Sequence, residues 1–553
     1  MKKTIAFLSC MLFSVSAFSF DMILTGDPVL EDIRFLSLVT GTSFLSFTPP
    51  LAPAELRRFL DAINEDELSQ SAMQAYNRAR ARLAPVSRIS FTDDNFSVRL
   101  NVDTTLEGEA RFNSEVSWYP RYQQITPLIS APLTGSFMDT VQLYFEPIFA
   151  KGRRDELHDY FRASIPSGFG HGQFNTEMSV RAFAAAGGNW WNFQIGRDRL
   201  FWGTGRTGSM VFADNSPYFD FARISFFSQN VKYSVIVNQM PLRLSRHLFP
   251  NDWDQWWHDN TVPDDAIIDP QRVLLQRYFY LQRLDVRLFN RLSIGIMEGI
   301  MVGDSPLEIR YLNPLLFFHS LYAWNDFPLW MPDSGHMVGS FFSIEVNWNI
   351  VRNWAVHGQF VMNELSLPGE TDGHPSAFGW MLGAQFSHSF DNWAGIFFIE
   401  IIRTDPFLGI LSSPYASFIQ MDRIDYATGI GRIGNYYSIG TPRDMFTITA
   451  GTDFFNGNGL SFSGSLSWIA SGENNINNSV IWNWGSGYPY SAQRSPSGTV
   501  EHNFVLSLGS TWRPHSWLSL SAGITGIVAL NNNHISGNTQ MGGQLALSAG
   551  FRI

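Results

Sequence analysis

A β-barrel that spans a lipid bilayer is the fold this chain predicts, and three observations predict it. Beyond residue 95 apolar and polar residues alternate in segment after segment; no run of eighteen apolar residues exists; and the chain ends on an alternating segment. In that last segment Met541, Leu545, Leu547, Ala549, Phe551 and Ile553 share one face, and Gln540, Gln544, Ser548 and Arg552 share the other. A soluble half-buried strand shows this pattern once. Its recurrence suits a sheet closed on itself, apolar outside in hydrocarbon and polar inside, with no edge left unpaired.

Composition agrees. Aromatic residues make up 15% of the 553 positions and charged residues only 16%, against the usual quarter of charged residues in soluble domains. The net charge of -11 argues against nucleic acid as a partner. The expected solvent is the outer-membrane bilayer.

Residues 1–20 read as a secretory leader. Lys2 and Lys3 supply charge, Thr4 to Val15 an apolar run too short to cross a bilayer as a helix, and Ala17-Phe18-Ser19 a small-x-small cleavage site. The single cysteine, Cys10, lies inside that leader, so the exported chain gains nothing from disulfides.

Residues 21–90 read as a helical periplasmic segment of three helices. Pro28 opens Val29 to Thr40, and Pro53 opens Ala54 to Asn64, whose Leu56, Phe59, Leu60 and Ile63 share a face. Glu65 to Leu83 is acidic at its start and basic at its end, as a helix dipole prefers.

Residues 91–553 read as the barrel, of about eighteen antiparallel strands. Phe96, Val98, Leu100 and Val102 alternate with Ser97, Arg99, Asn101 and Asp103; Leu460, Phe462, Leu466 and Trp468 with Ser461, Ser463, Ser465 and Ser467. Tight turns near 188, 229, 290, 351, 391, 457 and 514 alternate with long connections, as periplasmic turns and extracellular loops do. That parity requires two strands before residue 137, supplied by splitting 96–119 near Gly108 into 96–106 and 109–119. Arg283, Asp285 and Arg287 fall on a lumen-facing row. Glu298 falls on the apolar row with Ile294, Ile296 and Ile300, which requires either a bulge near Gly299 or a different register.

The densest local signal is Gly196 to Ser225, a Gly-rich, Trp-bearing connection between two strands. It lacks the lysine and the helix of a phosphate-cradling loop. Trp202, Gly203, Gly205, Gly208, Asn215 and Pro217 match a W-G-x-G-x-x-G…N-x-P pattern, and Tyr311-Leu312-Asn313-Pro314-Leu315 follows a Gly-Glu-Gly strand. With the leader, helical prelude and barrel in this order, the chain resembles the Wzi-type capsule assembly family over most of its mature length. That resemblance implies an outer-membrane barrel with a periplasmic helical bundle. It also implies a non-enzymatic role, in which the barrel binds surface polysaccharide and keeps it at the cell.

Sugar binding calls for aromatic platforms beside amides and carboxylates. The expected outer loops contain Trp253, Trp256 and Trp257 beside Asp252, Asp254 and His258, Trp324 and Trp330 beside Asn325 and Asp326, and Trp482, Trp484 and Tyr488 beside Asn483. The same rings suit an aromatic girdle or loop-on-loop packing. Trp202 and Asn215 join the candidate ligand set, as does Arg197, which suits either a uronic acid or charge pairing in the lumen. Gly196, Gly203, Gly205, Gly208 and Pro217 read as turn-shaping residues, and Asn313 and Pro314 as a turn folded into the barrel mouth. No His spacing suits a metal, no nucleophile elbow appears, and no cofactor is expected. The alternative function is a porin or solute transporter. Oligomeric state is left open.

Overall fold

The computed structural model describes residues 20–553 apart from 85–86, 88, 94, 114–115, 117–127, 150–160, 164–178, 214–217, 241–276, 304–305, 314, 319–337, 365–376, 391, 410–416, 427–428, 437–442 and 475–494. The expected leader, except Phe20, lies outside that range. Phe20 itself is buried against Phe183 and Phe227 and belongs to the folded body.

Eighteen antiparallel strands form a closed barrel. They are β1 (Phe96–Leu100 continuing as Asp103–Phe112), β2 (Ile129–Ser130 continuing as Leu133–Phe137), β3 (Val141–Phe149), β4 (Ser179–Gly187), β5 (Trp191–Asp198) and β6 (Phe219–Phe227). Next come β7 (Val231–Met240), β8 (Arg277–Leu288), β9 (Leu292–Gly303), β10 (Val338–Val351), β11 (Trp354–Glu364) and β12 (Ala377–Phe390). The last are β13 (Trp393–Thr404), β14 (Met445–Asn456), β15 (Leu460–Ser471), β16 (Glu501–His515), β17 (Leu518–Leu530) and β18 (Thr539–Arg552). Each pairs with the next, and β18 returns to β1 with Gln544 opposite Arg111 and Phe551 opposite Thr104. Two short pieces extend the sheet: Ile89–Asp93 folds back on the start of β1, and Phe161–Ala163 pairs with β1 above the top of β2.

The strand total agrees with the expectation, but the first hairpin does not. Strand pairing runs unbroken through Gly108, so 96–112 is one strand and the second strand is 129–137. Its turn into β3 places Met138 and Asp139 at φ 48° and 51°, with the Thr140 amide donating to Phe137 O at 3.1 Å. Such positive-φ pairs are usually announced by Asn-Gly or Asp-Gly; Met-Asp hides the turn.

The outer face is the apolar one. On β18, Met541, Leu545, Leu547 and Phe551 are exposed on the outside, and Gln544 points inward to donate to Glu109 at 2.6 Å. Glu298 needs no bulge: β9 pairs in continuous register on both sides, and Glu298 sits on the outer wall. A stretch of the connection after β9, residues 306–313 and 315–318, lies against that same outer wall (Tyr311 and Phe318 on Tyr280 and Ile300), so that Asn313 is not in the barrel mouth expected for it. Asn313 accepts the Leu315 amide there at 3.1 Å, and Pro314 is outside the described residues.

Three helices precede the barrel: α1 (Val29–Thr40), α2 (Pro53–Asp61) and α3 (Gln70–Ala81). α3 starts five residues later than the charge pattern suggests, because Ser69 caps it by accepting the Ala72 amide at 3.3 Å. Glu65–Glu67 forms a separate 3-10 turn. The helices do not stand apart from the barrel. Their shared core of Ile33, Leu36, Leu56, Phe59 and Tyr76 continues onto Ala355, Ala394 and Ile396 of the inner wall.

Candidate functional site

The lumen is entered from both ends. From the helical side comes the segment linking α1 and α2, residues 43–52. It is seated by inward side chains of β6 to β10: Ser43 shares a 2.9 Å hydroxyl contact with Ser293, Ser46 donates to Asp285 at 2.8 Å, and Arg287 donates to Ser43 O at 3.2 Å. Lys232 donates to both Thr48 Oγ1, at 2.9 Å, and Glu55 Oε2, at 2.6 Å. Arg223 donates to Thr48 O and Pro50 O, at 3.3 and 2.5 Å. Each of these charges is almost wholly buried, so each needs its partner: an unpaired ion in such a place costs several kcal/mol.

From the other end comes the Gly-rich connection between β5 and β6. Residues 199–213 turn inward and settle in a core formed by Phe219, Phe221, Ile236, Phe279, Met297, Phe341 and Met381. Trp202 lies at its centre, 0% exposed and edge-on to Phe212 at 5.0 Å. An exposed platform for sugar is therefore not how the structure places this ring. Glycines make the course possible. A Cβ at Gly205 would meet Gly208 O at 2.3 Å and Met381 Sδ at 2.7 Å. At Gly196, φ is +133° and a Cβ would meet Ala182 O at 2.4 Å. A Cβ at Gly208 would meet nothing within 4 Å.

The two insertions touch. Gly203 N donates to Phe47 O at 2.9 Å and Phe201 N to Pro49 O at 3.4 Å, while Thr25 donates to Arg199 O at 3.0 Å. Arg34 of α1 reaches Thr204 O at 2.6 Å. The tip of the upper insertion is held by one carboxylate. Glu400 accepts from the Thr207 amide at 2.8 Å, the Thr207 hydroxyl at 2.6 Å and the Arg206 amide, and it contacts His357 Nε2 at 2.8 Å. Arg206 pairs with Glu31 of α1 and Asp453 of β14. None of Glu400, His357, Arg206 or Lys232 was singled out from sequence. For Glu400, His357 and Lys232 the signal was an isolated polar residue on a lumen-facing row, as Glu400 is in I-F-F-I-E-I-I-R; Arg206, in the insertion, had none.

Arg197 does not face the lumen. It shares parity with Phe193 and Ile195 on the outer wall, near the end of β5, and makes a two-pronged pair with Asp220 at 2.8 Å on each arm. Asn215, Pro217, Trp253, Trp256, Trp257, Trp324, Trp330, Trp482, Trp484 and Tyr488 lie outside the described residues. What the structure does give of the outer rim is a clasp between loop bases. Asp444 accepts the amides of Asn474 and Ser497, at 3.1 and 3.0 Å, and the Ser497 hydroxyl. Beside it Asp405 pairs with Arg403 at 2.9 Å, and burial pushes its carboxyl up to about 6. Among the described residues no group of His, Cys, Asp and Glu is arranged to hold a metal ion.

An apolar outer skin, eighteen closed strands and an occupied lumen define an outer-membrane β-barrel with an internal plug. The chain shares its fold with Wzi of Escherichia coli, an outer-membrane protein involved in group 1 capsule assembly and described as a carbohydrate-binding β-barrel. That likeness covers 96% of this chain and 99% of the other, at 13% identity and a TM-score of 0.56. Pseudomonas aeruginosa OprD matches at 9% identity with a TM-score of 0.40, covering 82% of this chain and 95% of its own. A loop-deleted OmpT of Vibrio cholerae matches at 10% and 0.34, covering 83% and 100%. No protein-family model and no curated protein matches the chain.

Proposed function

We propose that this barrel is a non-enzymatic outer-membrane protein that binds surface polysaccharide through its extracellular loops and keeps it at the cell. The observation that carries the reading is the meeting of two insertions in the lumen, joined by the Gly203–Phe47 and Arg34–Thr204 hydrogen bonds. A wall that spends its buried charges on holding a plug is poorly suited to conducting solute. Its outer loops, rich in Trp and Tyr beside amides and carboxylates, suit the apolar faces and hydroxyls of sugar rings. The carbohydrate-binding barrel whose fold it shares supports the same reading. Weak contacts to one sugar, repeated along a polymer, would add up through effective concentration.

The test pairs two measurements on the refolded full chain. Pull-down with purified polysaccharide from the source cells should retain the polymer, and planar-bilayer recordings should show little steady current. Absence of retention together with steady porin-like conductance would replace this reading with that of a channel.

A further inference from the structure

The outer wall between β7 and β10 carries polar groups where hydrocarbon is expected. Tyr233, Gln282 and Glu298 all point outward on neighbouring strands, and Tyr233 donates to Gln282 Oε1 at 2.5 Å. Gln282 lies six residues above Leu288 at the lower end of β8. At about 3.3 Å per residue on strands tilted about 40°, that puts it roughly 15 Å up a band about 25 Å tall. A bare polar cluster at that depth is costly.

It is not bare. Residues 306–313 and 315–318 run down over it. Leu316 O accepts from Gln282 Nε2 at 2.7 Å, and the Glu308 amide donates to Tyr280 Oη at 3.0 Å. Tyr311, Leu312, Leu316 and Phe318 pack on Val237, Tyr278, Tyr280, Ile300, Val302 and Val338, all outward residues. Inward neighbours on the same strands, such as Phe279, Leu281 and Met301, belong to the separate core around Trp202.

The segment's other side is largely apolar and uncovered: Ile309 is 81% exposed, Leu315 87% and Phe317 72%, while the exposed Arg310 is paired with Glu308 and Asn313 closes the turn. Much of its own backbone is satisfied locally. The Asn313 amide donates to Arg310 O, the Leu316 amide to Asn313 O and the Leu315 amide to Asn313 Oδ1. Internal satisfaction of this kind is what irregular backbone needs beside lipid.

We infer that residues 306–313 and 315–318 form a strap embedded in the outer leaflet on the outside of the barrel, with Ile309, Leu315 and Phe317 in contact with lipid acyl chains. The occupant is lipid because the exposed side chains continue the skin formed at similar height by Leu284, Ile296 and Ile344. The strap replaces a polar patch by an apolar one and moors the connection from β9 to β10 at the membrane surface.

The mature chain has no cysteine of its own, since Cys10 lies in the expected leader. Ile309→Cys, Leu315→Cys and Phe317→Cys can therefore each carry one bimane label in the full chain, refolded into phosphatidylcholine vesicles. Leu284→Cys on the bare wall serves as the lipid-facing reference. All three side chains point away from the packed face, and folding is checked by heat-modifiable gel mobility. The strap predicts quenching by chain-labelled doxyl lipid within roughly two-fold of the Leu284 reference, and little quenching by iodide. Strong iodide quenching would place the strap in water and overturn the inference. Protection from both quenchers would mean protein covers it, a second copy of the chain included, and would overturn it as well. Neither outcome depends on whether the loops bind polysaccharide.

Discussion

The walls of β6 to β13 and of β15 to β18 differ in what their inner faces carry. The first presents Arg223, Lys232, Arg283, Asp285, Arg287, Glu345 and Glu400, all buried. The second presents Ser463, Ser465, Gly509, Thr511, Ser521 and Gly523 toward the helical end, at least partly exposed. The outer faces of the two walls are mainly apolar, the first interrupted by Asp220 and by the covered cluster of Tyr233, Gln282 and Glu298. Inner side-chain length thus follows the plug: long charged groups where the insertions are gripped, small hydroxyls at the helical end of the second wall, where neither insertion leans on it among the described residues.

That contrast can be broken. Arg283 pairs with Asp285 at 2.7 Å and Glu345 at 3.1 Å, all three nearly dry. Arg283→Ala leaves two buried carboxylates facing each other and should cost about 3–5 kcal/mol. Denaturant unfolding of the detergent-solubilised barrel measures it; a loss under about 1 kcal/mol would mean the plug is not held by these charges. Gly205→Val forces a side chain into Gly208 O and Met381, for an expected cost of about 1–3 kcal/mol by the same assay.

Acid acts on the rim clasp in a defined direction. Burial raises Asp405 from its usual 3.8 to about 6, against the pull of Arg403 and with a further push from Asp444. Its folded-state value is the higher, so its charged form opposes the clasp. Stability should rise as pH falls from 7 through 6 and level off below about 4. Hydrogen exchange at residues 405–409 and 444–445 reads it, after correction for intrinsic rates. Asp405→Asn should flatten this slope, and greater protection at pH 7.5 than at pH 5 would reverse the account. The smallest effect is expected on the other wall: Ser465→Lys should shift stability by no more than about 0.5 kcal/mol.

Much of the architecture was legible because a bilayer imposes a period of two on every strand. Eighteen strands, the C-terminal strand and the inward row of Arg283, Asp285 and Arg287 all follow from it. Turn chemistry misled where Gly108 sits inside a strand and Met138-Asp139 makes the turn. The plug was not legible, since nothing local in residues 43–52 or 199–213 marks a segment for a lumen. The strap had left a trace. Glu298 broke the apolar row, and the break marks a covered patch of outer wall rather than a bulge. Of the candidate site, Gly196 and Gly205 lie where a Cβ would collide with backbone, and Trp202 is wholly buried.

The account turns on the two insertions touching inside the barrel. Thr48→Cys with Phe201→Cys, in a chain that has no cysteine in residues 20–553, places two thiols on the segments joined by the Phe201–Pro49 hydrogen bond. A short bis-maleimide applied to the folded barrel in membranes should bridge them by alkylating both thiols, which fragment mass spectrometry would detect as one linked species. Labelling of each thiol singly, with no bridge formed while the barrel remains folded, would contradict it.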